Sequence, residues 1–155
     1  MDAKEHLAIG VVTAAVIIVI LYFWKHISMD PLNVITMAIL GALFSLLPDI
    51  DHKSGTATWL FLGTGILLIV LGVMGVGIPF IGASKMVLLY GVIILVCTFC
   101  LAQFAGHRGP VHTFWFGAIC ALGIYVVTKQ WYHFIVAFSA FYSHLAADGL
   151  WDKVY

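Results

Sequence analysis

Long apolar runs separated by short polar breaks constrain this chain more than any motif in it. Residues 7–24 hold no charged side chain. A helix needs about 20 such residues to cross the hydrocarbon core of a bilayer. Five further runs follow, at 31–47, 58–74, 86–105, 111–127 and from 131 onward. Charged residues are 9% of the 155. An ordinary soluble domain has about 25%, so this chain lacks the polar surface to cover a globule in water. In hydrocarbon, every backbone N–H and C=O must find a partner inside the chain, which helices achieve. The sequence therefore predicts an all-α, polytopic integral membrane protein with about six transmembrane helices, set in the lipid bilayer of the cell membrane.

The remaining composition excludes several classes. Net charge is zero, so no basic field attracts nucleic acid. Cys97, Cys100 and Cys120 all sit inside apolar runs and lack the spacing of a disulfide framework or a thiolate zinc site. The N-terminus has no positive leader region, and the first run is expected to stay as a span. No repeat or linker divides the chain, so residues 1–155 read as one membrane-embedded helical domain.

The breaks carry the local signals. Asp30 before Pro31 reads as an N-cap with proline in the first turn. Gly41 and Ser45, Gly117 and Ala121, and Ser139, Ser143 and Ala147 recur at intervals of four, a spacing that lets helices pack closely.

Six spans give a parity test. The N-terminus and the breaks after the second, fourth and sixth runs fall on one face. That face collects six of the seven acids (2, 5, 49, 51, 148, 152) and five of the seven histidines (6, 52, 107, 112, 144). Its four cations against three on the other face do not set an orientation by the positive-inside rule. His26 and His133 fall on the other face and receive no role.

The gathered residues have ligand chemistry. His144 and Asp148 are four apart, so a helix puts them on one side, as two ligands of one metal require. The same pair also reads as an interfacial histidine beside a helix-end aspartate. His107 and His112 flank a Gly-Pro turn, with Pro110 suited to the first turn of a fifth helix. Gln103, one turn before His107, is placed to support its ring. Asp49 and Asp51, just before His52, would repel one another unless a divalent cation lies between them. A solvated turn with a helix cap is the plainer alternative. His6 can join from the first helix, where Gly10 lets a neighbour approach.

Imidazole and carboxylate without thiolate suit zinc, with manganese and iron next. Five histidines and the three carboxylates Asp49, Asp51 and Asp148 exceed the three protein ligands usual for one catalytic zinc, so one or two ions fit. A two-metal site activates water and stabilises both oxygens of a displacement. Arg108 suits a bidentate grip on a substrate phosphate, and the start of the fifth helix adds its dipole. Asp49 or Asp51 suits a bridging ligand or general base.

Four ordered blocks carry a resemblance. They are Glu5-His6-Leu7 with Gly10, Leu46-Leu47-Pro48-Asp49-Ile50-Asp51-His52, Gly106-His107-Arg108-Gly109-Pro110-Val111-His112-Thr113, and Ser143-His144-Leu145-Ala146-Ala147-Asp148. Through them the chain resembles the YdjM-like family of membrane-bound metal-dependent hydrolases. That family is distantly similar to the zinc-dependent phospholipase C and single-strand nuclease superfamily. The resemblance implies that His6, Asp49, Asp51, His107, His112, His144 and Asp148 belong to the metal-site blocks, with His52 completing the second. The third block usually reads His-Arg-Gly-any-Thr-His-Ser. Here Val111 replaces the Thr and Thr113 replaces the Ser: the histidines are kept, a hydroxyl contact from the replaced Thr is lost, and Thr113 is a supporting candidate beside the ligands.

These readings converge on a metal-dependent hydrolase, acting on a phosphoester in a lipid or lipid-linked substrate. The other class is non-enzymatic: a structural metal site tying helix ends together, or a metal-ion or proton transporter. A transporter needs polar groups at mid-bilayer. Thr13, Thr36, Thr64 and Thr98 are the few candidates, which argues against a conduit.

Overall fold

The computed structural model describes residues 3–25, 30–51, 55–78, 82–104 and 109–149. Among these residues are six α-helices: α1 (Ala3–Lys25), α2 (Pro31–Leu46), α3 (Thr56–Val73), α4 (Ser84–Phe104), α5 (Phe114–Thr128) and α6 (Trp131–Ala147). Short 3₁₀ turns at Leu47–Asp51 and Pro110–His112 follow α2 and precede α5. The helices group into two compact units, α1, α2, α5 and α6 in one and α3 and α4 in the other.

The number of spans needs correction. Among the described residues, four helical segments are long and apolar enough to cross a membrane: Lys4–Trp24, Pro31–Ile50, Thr56–Val73 and Ser84–Gln103. The expectation of about six spanning helices does not hold, although the protein is all-α and multi-pass. The reason is length. α5 has 15 residues and α6 has 17. At 1.5 Å per residue they reach about 22 and 26 Å, shorter than each of the four segments above, which have 18–21 residues. The sequence run from 111 to 127 is longer because it counts from Val111 through His112 and Thr113. Val111 and His112 belong instead to the 3₁₀ turn that Pro110 opens, and Thr113 caps α5: its Oγ1 accepts from Phe116 N at 3.3 Å and donates to the Pro110 carbonyl at 2.8 Å.

In the four-helix unit, α6 is the central element and packs against α1, α2 and α5. Its buried stripe runs from Tyr132 through Val136, Ala137, Ala140 and Phe141 to His144 and Leu145, the helical spacing of a core-facing side. Ala14 and Leu21 from α1, Met37, Leu40 and Phe44 from α2, and Ala121 from α5 complete the core.

Local chemistry fixes the helix ends. Asp30 caps α2 as the sequence predicts, accepting from Asn33 N at 2.9 Å and from Asn33 Nδ2 at 2.6 Å. Gly149, at φ +69°, takes the left-handed turn that ends α6. Small residues set the α1–α2 crossing. A Cβ added to Gly10 would fall on the Ser45 side chain, and one on Gly41 would strike the Ala14 methyl.

The other unit is a hairpin of α3 and α4. It crosses closely at Gly65 and Gly91, where an added Cβ would come within 3.1 Å of the Gly91 carbonyl and 2.9 Å of the Gly65 carbonyl. Thr58 Oγ1 donates to the Ile50 carbonyl at 3.1 Å and ties the start of α3 to the 3₁₀ turn before it.

One buried group in α6 is unmet. His133 is 4% exposed, and among the described residues neither ring nitrogen has a hydrogen-bond partner. An unsatisfied buried polar group costs about 1–3 kcal/mol. His133→Phe keeps a ring and removes that cost. It is expected to raise the thermal midpoint of the detergent-solubilised protein by roughly 2–8 °C. A lower midpoint would show that the imidazole is bonded to something in the native membrane.

Candidate metal centre

The close α1–α2 crossing has a consequence one turn away. His6 stands four residues before Gly10, and it is 1% exposed although its neighbours Lys4 and Glu5 face outward. The crossing draws the start of α1 onto the end of α2 and lays the His6 ring over His144 of α6. The two rings stack with centroids 3.7 Å apart and planes 21° apart.

His144 is fully buried, and its Nδ1 lies 2.7 Å from the Ser45 carbonyl of α2. A carbonyl only accepts, so Nδ1 carries the proton and donates it. That carbonyl is available for a local reason. In the tighter 3₁₀ register its partner would be the N–H of residue 48, and Pro48 has none. With Nδ1 protonated, the lone pair of the neutral ring is on Nε2. A second group holding the ring in one tautomer is the usual support of a metal-ligating histidine.

Asp148 closes the arrangement from the end of α6. Its Oδ1 lies 3.2 Å from His6 Nε2 and its Oδ2 lies 3.5 Å from His144 Nε2. The ligand atoms of His6, His144 and Asp148 all lie within 4.8 Å of one another. Tetrahedral zinc with bonds near 2.0–2.1 Å sets its ligand atoms about 3.3–3.4 Å apart. The two histidine–carboxylate separations, one to each oxygen of Asp148, lie close to that spacing. A donor set of two imidazoles and one carboxylate is also that of zinc sites that keep a fourth position open. These three residues fit a divalent ion.

Burial, and secondarily the positive charge His6 can carry, pulls His144 from 6.5 down to about 4, against the opposite pull of the Ser45 carbonyl and of Asp148. The ring is therefore neutral near pH 7. In the metal-free protein the unfolded chain takes up a proton at His144 below about 6.5 that the folded chain refuses until about 4. The unfolded state then holds more protons, so stability is full above that window and falls as pH drops through it. Chemical denaturation of the metal-free protein is expected to show this loss between pH 7 and pH 4.5, and His144→Gln is expected to flatten it. An equal slope in both proteins would assign the acid sensitivity elsewhere.

The structure places the other sequence candidates as follows. His112, in the 3₁₀ turn before α5, is buried with its ring 5.8 Å from that of His144. Thr113 serves as the N-cap of α5. Asp49 is half-buried in the 3₁₀ turn after α2, and Asp51 ends that turn. Gln103 is exposed in the last turn of α4. His52, His107 and Arg108 lie outside the described residues. Sequence reasoning missed two participants. One is the Ser45 carbonyl, and the signal was Pro48. The other is the capping role of Thr113.

Convergence at this end does not require six spans. α5 and α6 form a hairpin that returns to the end it left, whatever its depth. His112 and His144 thus meet at one end beside the start of α1 and the end of α2.

Fold and site together define a multi-pass membrane protein whose packed helix ends hold a buried histidine–aspartate cluster able to chelate a metal ion. Residues 1–153 match the family model described as YdjM inner membrane protein, and the chain belongs to that family. No curated protein and no solved structure matches it.

Proposed function

We propose that this protein is a membrane-embedded, metal-dependent hydrolase of phosphoester bonds. The observation that supports the reading is the meeting of His6, His144 and Asp148, whose ligand atoms lie close enough to chelate one ion. Zinc suits the donor set best, with manganese and iron next. A divalent ion held there supplies a Lewis acid for a phosphoryl oxygen and lowers the pKa of water.

The chain's own residues do the rest. His144, locked by Ser45, presents Nε2. Asp148 orients both imidazoles. His112 stands beside them. Asp49, Asp51, His52, His107 and Arg108 enter this proposal through the sequence blocks. Asp49 or Asp51 is the general base or a bridging ligand, His52 and His107 are further ligands to one or two ions, and Arg108 grips the substrate phosphate. Gln103 supports the His107 ring, and Thr113 fixes the turn that carries His112. The family description names an inner membrane protein, and we extend that location to this chain. A site formed by helix ends in a chain this apolar favours a membrane-borne substrate, a lipid or lipid-linked phosphoester.

The depth of burial favours a second reading. His6 is 1% exposed and His144 is not exposed at all, as in a structural metal clip that closes its coordination sphere. One experiment separates the two. The detergent-purified protein is loaded with zinc or manganese and assayed on a chromogenic phosphodiester and on short-chain phospholipids. The hydrolase reading expects turnover that chelation abolishes and metal restores. Stoichiometric metal without turnover on any phosphoester, and without water exchange at the manganese-loaded site, would leave the clip.

A further inference from the structure

The α5–α6 hairpin carries a feature the metal centre does not use. Phe134, Phe138 and Tyr142 follow at intervals of four on α6 and stack in a ladder. Phe134 and Phe138 have centroids 5.8 Å apart and planes 4° apart, and Phe138 and Tyr142 have centroids 6.3 Å apart and planes 17° apart. Phe114 of α5 meets the ladder edge-on at 5.2 Å from Phe138 and 6.3 Å from Tyr142. Phe134 and Phe138 are half-buried and pack along the edge of the core, and Tyr142 is exposed. Its far end opens into a groove of about 200 Å³ lined by Leu122, Tyr125, Trp131 and Phe134. Its near end rests on Phe114, two residues past His112.

We propose that this ladder and groove bind one acyl chain of a membrane phospholipid, with the headgroup toward the metal centre. Three observations select that occupant. The protein is multi-pass in a bilayer, and the α5–α6 hairpin, though not among the spanning segments, exposes large apolar side chains such as Trp115, Ile119 and Leu122. Phe134 precedes His144 by ten residues, about 15 Å along the helix, which is one leaflet of a core of about 30 Å. The track also ends against the segment that carries His112, so a chain lying in it brings its polar end to the cluster. Flat rings in register offer a continuous bed to a straight chain. The exposed face of α1, with Val12, Val16 and Val19, belongs to no such ladder. The headgroup direction rests on the hydrolase reading; the chain site does not.

Photo-crosslinking in reconstituted vesicles tests the proposal. Phosphatidylcholine carries a diazirine either at the end of one acyl chain or near its carbonyl, and adducts are mapped by mass spectrometry. The chain-end probe is expected to label Trp131 and Phe134 at least threefold more than Val12, Val16 and Val19, and the carbonyl probe is expected to label Phe114 and Tyr142. Phe138→Ala is expected to reduce the chain-end adduct at least threefold with bound metal unchanged. Adduct yields that simply follow exposure on α1 and on the hairpin alike would overturn the chain site, as would an unchanged yield in Phe138→Ala. A reversed order of the two probes would overturn the headgroup direction. Specific adducts in a protein that hydrolyses no phosphoester would leave the chain site standing and remove the hydrolase reading.

Discussion

His144→Ala is expected to reduce bound metal from near one ion per chain to less than a tenth of that in elemental analysis of the purified protein. Three contacts meet on this one ring. Nδ1 bonds the Ser45 carbonyl, Nε2 faces Asp148, and the ring face stacks on His6. Alanine removes a ligand, leaves the Ser45 carbonyl buried without this donor, and opens a cavity under His6. A buried acceptor left unmet costs about 1–3 kcal/mol, so the metal-free variant is also expected to be less stable. Asp148→Asn separates the two effects. It keeps the side chain's shape but loses the charge, and it is expected to weaken metal binding at least tenfold with a smaller loss of stability. Metal retained at full stoichiometry in both variants would move the site away from this cluster.

Gly10→Ala has the second-largest expected effect, although residue 10 touches no metal. The added methyl falls on the Ser45 side chain and 2.8 Å from the Gly41 carbonyl. Overpacking of this kind costs about 1–3 kcal/mol. Relief requires α1 to move off α2, which carries His6 away from His144 because the two helices meet within one turn of the cluster. Metal affinity is expected to fall at least tenfold and the thermal midpoint to drop. Gly123→Ala in α5 is the matched control. Its new methyl meets nothing within 4 Å. Alanine is the better helix former by up to about 1 kcal/mol, so stability is expected to hold or rise. Similar behaviour of the two variants would mean that the α1–α2 contact does not position His6.

The sequence made the helical architecture legible because apolar runs this long have few alternatives in water or in lipid. It made Asp30 and Pro31 legible because a cap and a first-turn proline are local chemistry. It also paired His144 with Asp148, since four residues are one helical turn. The span count was not legible. Val111 opens the apolar stretch in sequence, whereas the path of the backbone there is set by Pro110 and Thr113, which begin a separate turn and a cap. The stacking of His6 on His144 was not legible either. It depends on how near two helices pass, and that distance is set by Gly10, Gly41, Ala14 and Ser45 acting together. Small-residue spacing pointed to Gly41 and Ser45 as a seam without saying which helix they would meet. The partner of His144 Nδ1 was the hardest to read, because a carbonyl oxygen belongs to every residue and only the missing N–H of Pro48 marks this one.

The bond from Ser45 to His144 bears on how the centre competes with acid. Most histidine sites must shed a proton before an ion can enter, so protons and metal contend for the same nitrogen near neutrality. At His144 the proton already sits on the other nitrogen, and burial keeps a second one away down to about pH 4. An ion arriving at Nε2 displaces nothing there. This position stays open to metal in acid that would empty an exposed histidine.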